Sequence, residues 1–369
     1  MRDPRIEKLA HTIVHYSLDL QQGEHLFIEV EGHDNHLPQA IVLEAYQVGG
    51  IPTVSFIDME ILRKQILYGN LETFQAAAAS DRERMEKMHA YVLIRASGNS
   101  HELSDVAADK IDLYWREYYH HVHEPRWAKT KWLVLSYPNA AAAQRAGMST
   151  SQFEDRYFEV CTLDYERLST HMEILANLLR KTDSVRIEGP GTDLTLSIKG
   201  MPVQKDAGHQ NLPDGEVFCV PDKFSANGII TFNTPVLFRG RTFDNISFTF
   251  EDGQIVRASA NDTASLQEIL NIDTGSRYIG ELGFGLNPFI REPIGDILFD
   301  EKIWGSLHLA IGSSPIQGDR SNLSSIHWDI VLNQTEKHGG GKVWFDGVLV
   351  RENGVFVLQE LQGLNIISG

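Results

Sequence analysis

The sequence predicts two parts, an α/β domain with a parallel sheet over residues 1–183 and an α+β, strand-rich domain over residues 184–369. In the first part, apolar strand patterns alternate with helical patterns, as in βαβ units. In the second part, short alternating strands are separated by glycine turns. A length of 369 residues also exceeds what one hydrophobic core usually supports. These three observations favour two domains of different class.

The first part supplies four strand candidates, each followed by a helical pattern or a turn. They are HLFIEV (25–30), PTVSFI (52–57), YVLIRA (91–96) and KWLVLSY (131–137). Between the first two, the helical pattern LPQAIVLEAYQV stops at Gly49 and Gly50, and Pro52 then opens the next strand. This order predicts parallel strands joined by crossover helices.

The second part begins after a last long helical pattern, YERLSTHMEILANLLRKTD (165–183). The strand candidates after this helix are VRIEG, TDLTLSIKG, GIITFN, ISFTFEDGQIVRASA and KVWFDGVLVRENGVFVL. Their period of two and their DG, NG and GPG turns predict antiparallel pairing. We therefore expect the domain boundary near residues 183–186.

The composition restricts the partners and the compartment. Asp and Glu outnumber Lys and Arg by 50 to 33, and the resulting net charge of −17 disfavours nucleic acid. Cys161 and Cys219 are too few for a disulfide framework, which indicates a reducing compartment. No stretch is apolar enough for a signal peptide or a membrane span. We expect a cytoplasmic protein without membrane contact.

The segment SSIHWDIVL contains the most informative pair of polar residues. Because residues i and i+2 of a strand project to the same face, His327 and Asp329 can reach one ion while Trp328 points away. An imidazole and a carboxylate suit a borderline divalent metal. Alone, such a pair is more often a local hydrogen bond.

Three further polar residues interrupt apolar strand patterns. Glu216 comes after a turn in NLPDGEVFCVPD, Glu281 lies between glycines in YIGELGFGLNP, and His308 is the strongly polar residue of GSLHLAIG. Buried carboxylates are costly unless a positive charge balances them. A shared metal centre satisfies all these groups together.

Several long segments resemble the family of cocatalytic metallo-aminopeptidases that includes aminopeptidase T, aminopeptidase S and aminopeptidase II. The matching segments are LAHTIVHYSLDLQQGEHLFIEVEG, AGMSTSQFEDRYF, LDYERL, GPGTDLTLSIKG, NLPDGEVFCVPD, GELGFGLNP, LFDEKIWGSLHLAIG and SSIHWD. The resemblance implies metal ligation by Glu216, Glu281, His308, His327 and Asp329. It also implies a homodimer whose enclosed cavity admits short peptides.

The reaction expected from this resemblance is hydrolysis of the N-terminal peptide bond of short peptides that carry a free N-terminus. Two divalent ions per chain, Zn, Co or Mn, would activate water and polarise the carbonyl. Glu216 and Glu281 are the carboxylates able to bridge the ions or accept the proton of the water, and the sequence does not divide these roles.

One segment departs from the family pattern. Its members usually carry a tyrosine shortly after the HLAIG segment, where this chain reads SSPIQGDRSNLSS. Tyr278 is a candidate replacement, although a packed strand aromatic is the simpler interpretation. Without such a donor, we expect a full metal complement but slow turnover.

Two other functions compete with the peptidase. His308, His327 and Asp329 alone match the two-histidine, one-carboxylate pattern of a mononuclear iron ring-cleaving dioxygenase. Such a site needs neither Glu216 nor Glu281. A non-catalytic protein that binds peptides or metabolites is the second alternative, and the intact ligand set would have no purpose in it.

Overall fold

The computed structural model describes residues 3–99 and 101–365. Its α-helices are α1 (Pro4–His11), α2 (His36–Gln47), α3 (Met59–Tyr68), α4 (Leu71–Glu86), α5 (Ala108–Tyr114), α6 (His120–Lys129), α7 (Ala140–Arg145), α8 (Thr150–Cys161), α9 (Tyr165–Leu179), α10 (Thr263–Leu270) and α11 (Ile297–Asp300). π-Helical turns cover Thr12–Ser17 and Trp115–Tyr119, and 3-10 turns cover Glu336–His338 and Gln359–Leu364. Within the described part of the chain, no helix combines the length and the apolar character that a membrane crossing requires.

The strands, in chain order, include all the predicted ones. They are β1 (His25–Glu31), β2 (Ile51–Ile57), β3 (Ala90–Arg95), β4 (Lys131–Ser136), β5 (Ser184–Gly189), β6 (Thr192–Ser197), β7 (Val203–Asp206), β8 (Asn211–Leu212), β9 (Glu216–Cys219), β10 (Asn227–Thr231), β11 (Val236–Phe238), β12 (Arg241–Phe243), β13 (Ser247–Glu251), β14 (Gln254–Ser259), β15 (Ile279–Gly285), β16 (Ser306–Gly312), β17 (His327–Asn333), β18 (Lys342–Phe345), β19 (Val348–Glu352) and β20 (Val355–Phe356).

The chain forms two compact units. The first comprises Met1–Leu163 and Gly208–Pro213, and the second comprises Asp164–Ala207 and Asp214–Gly369. Helix α9 therefore lies in the second unit, whereas the predicted boundary at residue 183 placed it in the first. The buried side of this helix, which includes Met172, Leu175, Ala176 and Leu179, belongs to the core of the strand-rich unit.

The first unit contains the predicted parallel sheet. Its strand order is β2-β1-β3-β4-β8, and every neighbouring pair is parallel. Strand β3 is buried except at its last residue, and β1 is buried or half-buried along its whole length. This pattern is the one expected where helices cover both faces of a parallel sheet. The prediction of an α/β N-terminal part is confirmed.

The second unit is built from antiparallel strands, as predicted. An eight-stranded sheet has the order β14-β13-β10-β6-β5-β18-β19-β20, and a five-stranded sheet has the order β17-β16-β15-β9-β7. Strands β11 and β12 form a separate pair. The five-stranded sheet carries all the candidate ligands, so this sheet determines where the site lies.

Candidate metal centre

The five candidate ligands project from one face of the five-stranded sheet. They are Glu216 at the start of β9, Glu281 in β15, His308 in β16, and His327 with Asp329 in β17. The strand register places these residues and their cross-strand partners on a common face, because paired residues point to the same side. The opposite face carries core residues such as Leu282, Leu309 and Ile330. One face is therefore hydrophobic core, and the other is the site.

Glycines opposite the ligands keep this face open. Gly285 pairs with Glu216, and Gly283 pairs with His308. A Cβ atom on Gly283 would lie 2.1 Å from His308 Cε1 and 2.2 Å from its Nε2, closer than any side-chain contact allows. Only glycine therefore lets the imidazole lie across the neighbouring strand.

The ligand atoms converge in two groups that share one carboxylate. In the first group, His308 Nε2 lies 3.2 Å from Glu216 Oε2 and 3.2 Å from Glu281 Oε1. In the second group, His327 Nε2 lies 3.3 Å from Asp329 Oδ1 and 3.7 Å from Glu281 Oε2. In each group, all the ligand atoms lie within 4.8 Å of one another. The two oxygens of Glu281 thus face different groups.

These spacings fit metal coordination. Donor atoms bound tetrahedrally at about 2.0–2.2 Å from one zinc ion are separated by about 3.3–3.6 Å. Moreover, apart from the imidazole Nε2 atoms 3.2 and 3.3 Å away, the buried atoms Glu216 Oε2 and Asp329 Oδ1 have no hydrogen-bond partner among the described residues. Buried carboxylate oxygens without a donor are rare unless an ion occupies their neighbourhood. The donor set therefore fits divalent metal.

Both imidazoles are held with Nε2 towards the carboxylates. The Nδ1 atom of His308 lies 3.2 Å from the carbonyl oxygen of Glu301, and that of His327 lies 2.7 Å from the carbonyl oxygen of Ser313. A carbonyl only accepts, so each Nδ1 carries the proton and each Nε2 is left for a ligand role. Backbone carbonyls orient metal-binding histidines in this way in many proteins.

The buried carboxylates of the site favour positive charge beside them. Burial alone would lower the pKa of His308, but Glu281 and Glu216 outweigh it and raise this pKa to about 9. Burial acts in the same direction on His327, and Asp329 raises the pKa of His327 well above its ordinary value. The carboxylates therefore stabilise cationic imidazoles, and a metal ion would supply that positive charge instead.

A buried lysine lies beside the first group, and the sequence analysis did not single it out. The Nζ atom of Lys302 donates to Glu216 Oε1 and lies 2.8 Å from a Glu301 oxygen and 3.5 Å from Asp214 Oδ1. Its side chain is fully buried, and these carboxylates raise its pKa well above the ordinary value against the effect of burial. The Asp-Glu-Lys triplet before the HLAIG segment was the available signal, because such charges interrupt an apolar stretch.

Tyr278 packs against residues that are not candidate ligands. Its ring contacts Phe224 edge-on at 5.8 Å between centroids, and Lys223 Nζ lies 4.5 Å from the ring centroid. These contacts support its interpretation as a packed aromatic residue.

The sequence matches a known family and several named relatives. The profile of a family described as thermophilic metalloprotease (M29) matches residues 2–356. Aminopeptidase AmpS of Bacillus subtilis (strain 168) is 25% identical, and the match covers 84% of each chain. Aminopeptidase PepS of Streptococcus thermophilus is 23% identical over 96% of this chain and 98% of its own.

The fold also matches a solved structure. Wild-type AmpT from Thermus thermophilus superposes with a TM-score of 0.82 and 20% sequence identity, covering 96% of this chain and 99% of that one. At this identity, the likeness concerns the fold.

Proposed function

The chain belongs to the thermophilic metalloprotease (M29) family, and we propose that its peptidase centre is the pair of ligand groups that share Glu281. The protein is a metal-dependent aminopeptidase, a hydrolase that uses divalent metal and acts on peptides. The proposal extends to the residues that hold each ion, the number of ions and the peptides that are cleaved.

One observation carries the proposal, namely that each oxygen of Glu281 faces a different imidazole. We assign one ion to Glu216, Glu281 and His308, and a second ion to Glu281, His327 and Asp329. Glu281 would then help to hold both ions. Zn, Co and Mn are all compatible with this set of nitrogen and oxygen donors.

The chemistry divides between the ions and the chain. When bound, two divalent ions lower the pKa of a water and polarise the scissile carbonyl. Lys302 is a positioning residue, because its hydrogen bond fixes Glu216 Oε1 and leaves Oε2 directed at the centre. Glu216 and Glu281 are the two carboxylates that we propose to accept the proton of the water.

The acidic surroundings favour the free end of a peptide. Four carboxylates, those of Asp214, Glu216, Glu281 and Glu301, lie in or beside the first group. A free α-amino group can interact with these carboxylates or donate its lone pair to an ion that they hold, whereas an acetylated nitrogen can do neither. We therefore propose short peptides with a free N-terminus as substrates.

Substrate blocking tests this assignment. The protein should hydrolyse amino-acid p-nitroanilides and dipeptides, lose activity in a chelator and regain it with divalent metal. N-Acetylated versions of the same substrates are the matched controls and should resist. Equal cleavage of blocked and free substrates would rule out exopeptidase specificity.

The two competing functions receive no support from the comparisons, whose named relatives are aminopeptidases. A single-iron site would also leave Glu216 Oε2 buried without a partner.

Several wider expectations remain predictions. The homodimer rests on the family resemblance, and sedimentation analysis should give twice the mass of one chain. A cytoplasmic location rests on the two cysteines, which are buried and form no disulfide. The absence of nucleic-acid and membrane partners rests on the net charge and the hydropathy pattern.

A further inference from the structure

A second cluster of metal-binding side chains lies in the first unit, on residues that the peptidase centre does not use. His11 is the last residue of α1, His15 lies in the π-helical turn directly after it, and Glu44 lies in α2. The four-residue spacing of the histidines brings both rings to the same side of the helical segment. The carboxylate of Glu44, on the neighbouring helix, contacts both rings.

Both imidazoles approach the same carboxylate oxygen. His11 Nδ1 lies 3.3 Å from Glu44 Oε2, and His15 Nε2 lies 3.1 Å from it. These distances are close to the edge of a zinc tetrahedron, about 3.3 Å, and match the spacings of the peptidase centre. All three donor atoms lie within 4.8 Å of one another.

A simple ion pair accounts poorly for this arrangement. The two rings are stacked with 4.0 Å between their centroids. One carboxylate balances one imidazolium, and two stacked imidazolium rings would repel each other at this distance. In the neutral tautomers that leave His11 Nδ1 and His15 Nε2 unprotonated, both lone pairs would point to the place where one cation would also contact the carboxylate.

We propose that His11, His15 and Glu44 form an accessory zinc site that ties the end of α1 and the π-helical turn to α2. Three protein ligands leave a fourth position for water. The side chains of His11 and His15 are 63% and 37% exposed, so the ion can enter from solvent, while Glu44, at 18%, is anchored. Its effect would be on the stability of the first unit, since none of its ligands belongs to the peptidase centre.

The first unit offers a matched control. His36 Nδ1 lies 3.3 Å from Asp34 Oδ2, an exposed imidazole–carboxylate pair at the same distance as the His11 pair. It differs in that, among the described residues, the pair belongs to no group of three able to hold a metal. Removing His36 therefore removes an exposed histidine without removing a zinc ligand set.

Zinc content measures the site directly. Metal-stripped full-length protein is dialysed against zinc, and bound zinc per chain is determined by mass spectrometry for wild type, the His11→Asn/His15→Asn double variant, Glu44→Gln and His36→Asn. We expect the double variant and Glu44→Gln to hold one ion fewer than wild type. His36→Asn should match wild type, and dipeptide hydrolysis should be unchanged in every variant.

Circular dichroism shows whether each variant is folded. If the double variant is unfolded, the zinc content of Glu44→Gln alone tests the site. Added zinc should also raise the Tm of stripped wild type more than that of Glu44→Gln. Equal zinc content in wild type and Glu44→Gln would overturn the proposal, as would an equal loss in His36→Asn. Because the readout is a difference between proteins, it does not depend on how many ions the peptidase centre holds.

Discussion

At the scale of single residues, the centre depends on two side chains with different tasks. Glu281 presents one oxygen to each imidazole group, so the proposed ions depend on it jointly. Lys302 is fully buried and balances carboxylates that would otherwise repel one another. The first is proposed to hold metal and the second to hold a metal ligand, and substitutions should separate these tasks.

Glu281→Gln should lower the occupancy of both ions, because both lose a charged donor. Glu216→Gln should lower the occupancy of one. Since even outer-shell changes cost about 10- to 100-fold in metal affinity or activity, we expect peptide turnover to fall by about 100-fold or more in both variants. Metal content by mass spectrometry distinguishes them, with the exposed Glu251→Gln as control. Loss of one ion in each variant would contradict the proposed sharing of Glu281.

Lys302→Met should destabilise the second unit by about 3–5 kcal/mol, because it leaves buried carboxylates without their cation. Urea denaturation of metal-stripped protein measures the free energy of unfolding. Lys337→Met removes a 70% exposed lysine paired with Glu292 and should cost at most about 1 kcal/mol. If the two variants were equally stable, Lys302 would not be the balancing charge.

At the scale of elements, the antiparallel sheet brings the candidate ligands together. The two-residue period of a strand sufficed to predict that His327 and Asp329 share a face. The sequence also showed glycines around Glu281, but not that Gly283 lies under His308, because that contact depends on long-range register. For the same reason, local sequence patterns could not predict that Glu281 is shared between two ligand groups.

The sequence did not predict the place of α9 or the role of Lys302, because both depend on contacts with distant parts of the chain. The apolar stripe of α9 fits a helix in either unit, so its place in the strand-rich core could not be read from its own sequence. Lys302 is not a metal-ligand residue type, so a pattern of ligand types does not point to it. Its role becomes visible only when Glu216, Asp214 and Glu301 surround it.

Gly283→Ala tests the strand contact. The added methyl would meet the ring of His308 at about the 2.1 Å separation of the built Cβ, so the imidazole must move away from the carboxylates. We expect loss of one ion and of most peptide turnover, with the β-sheet circular dichroism retained. Gly318→Ala is the matched control, since its Cβ would meet no atom within 4 Å. Full activity in Gly283→Ala would show that His308 is not held there as a ligand.

At the scale of the whole molecule, the sequence predicted both fold classes correctly because each has its own periodicity. The parallel unit alternates strands with helices, and the antiparallel unit alternates strands with glycine turns. The limits of the units were harder to predict, because the chain crosses between them more than once: residues 208–213 return to the first sheet as β8. That the units fold as independent domains remains a prediction.

Anomalous diffraction from crystals grown with zinc would locate the proposed ions themselves. We expect two peaks about 4 Å apart in the second unit, one beside Glu216 and His308 and the other beside His327 and Asp329, with Glu281 between them. A single peak bound by His308, His327 and Asp329, with Glu216 and Glu281 uninvolved, would contradict the two-ion assignment.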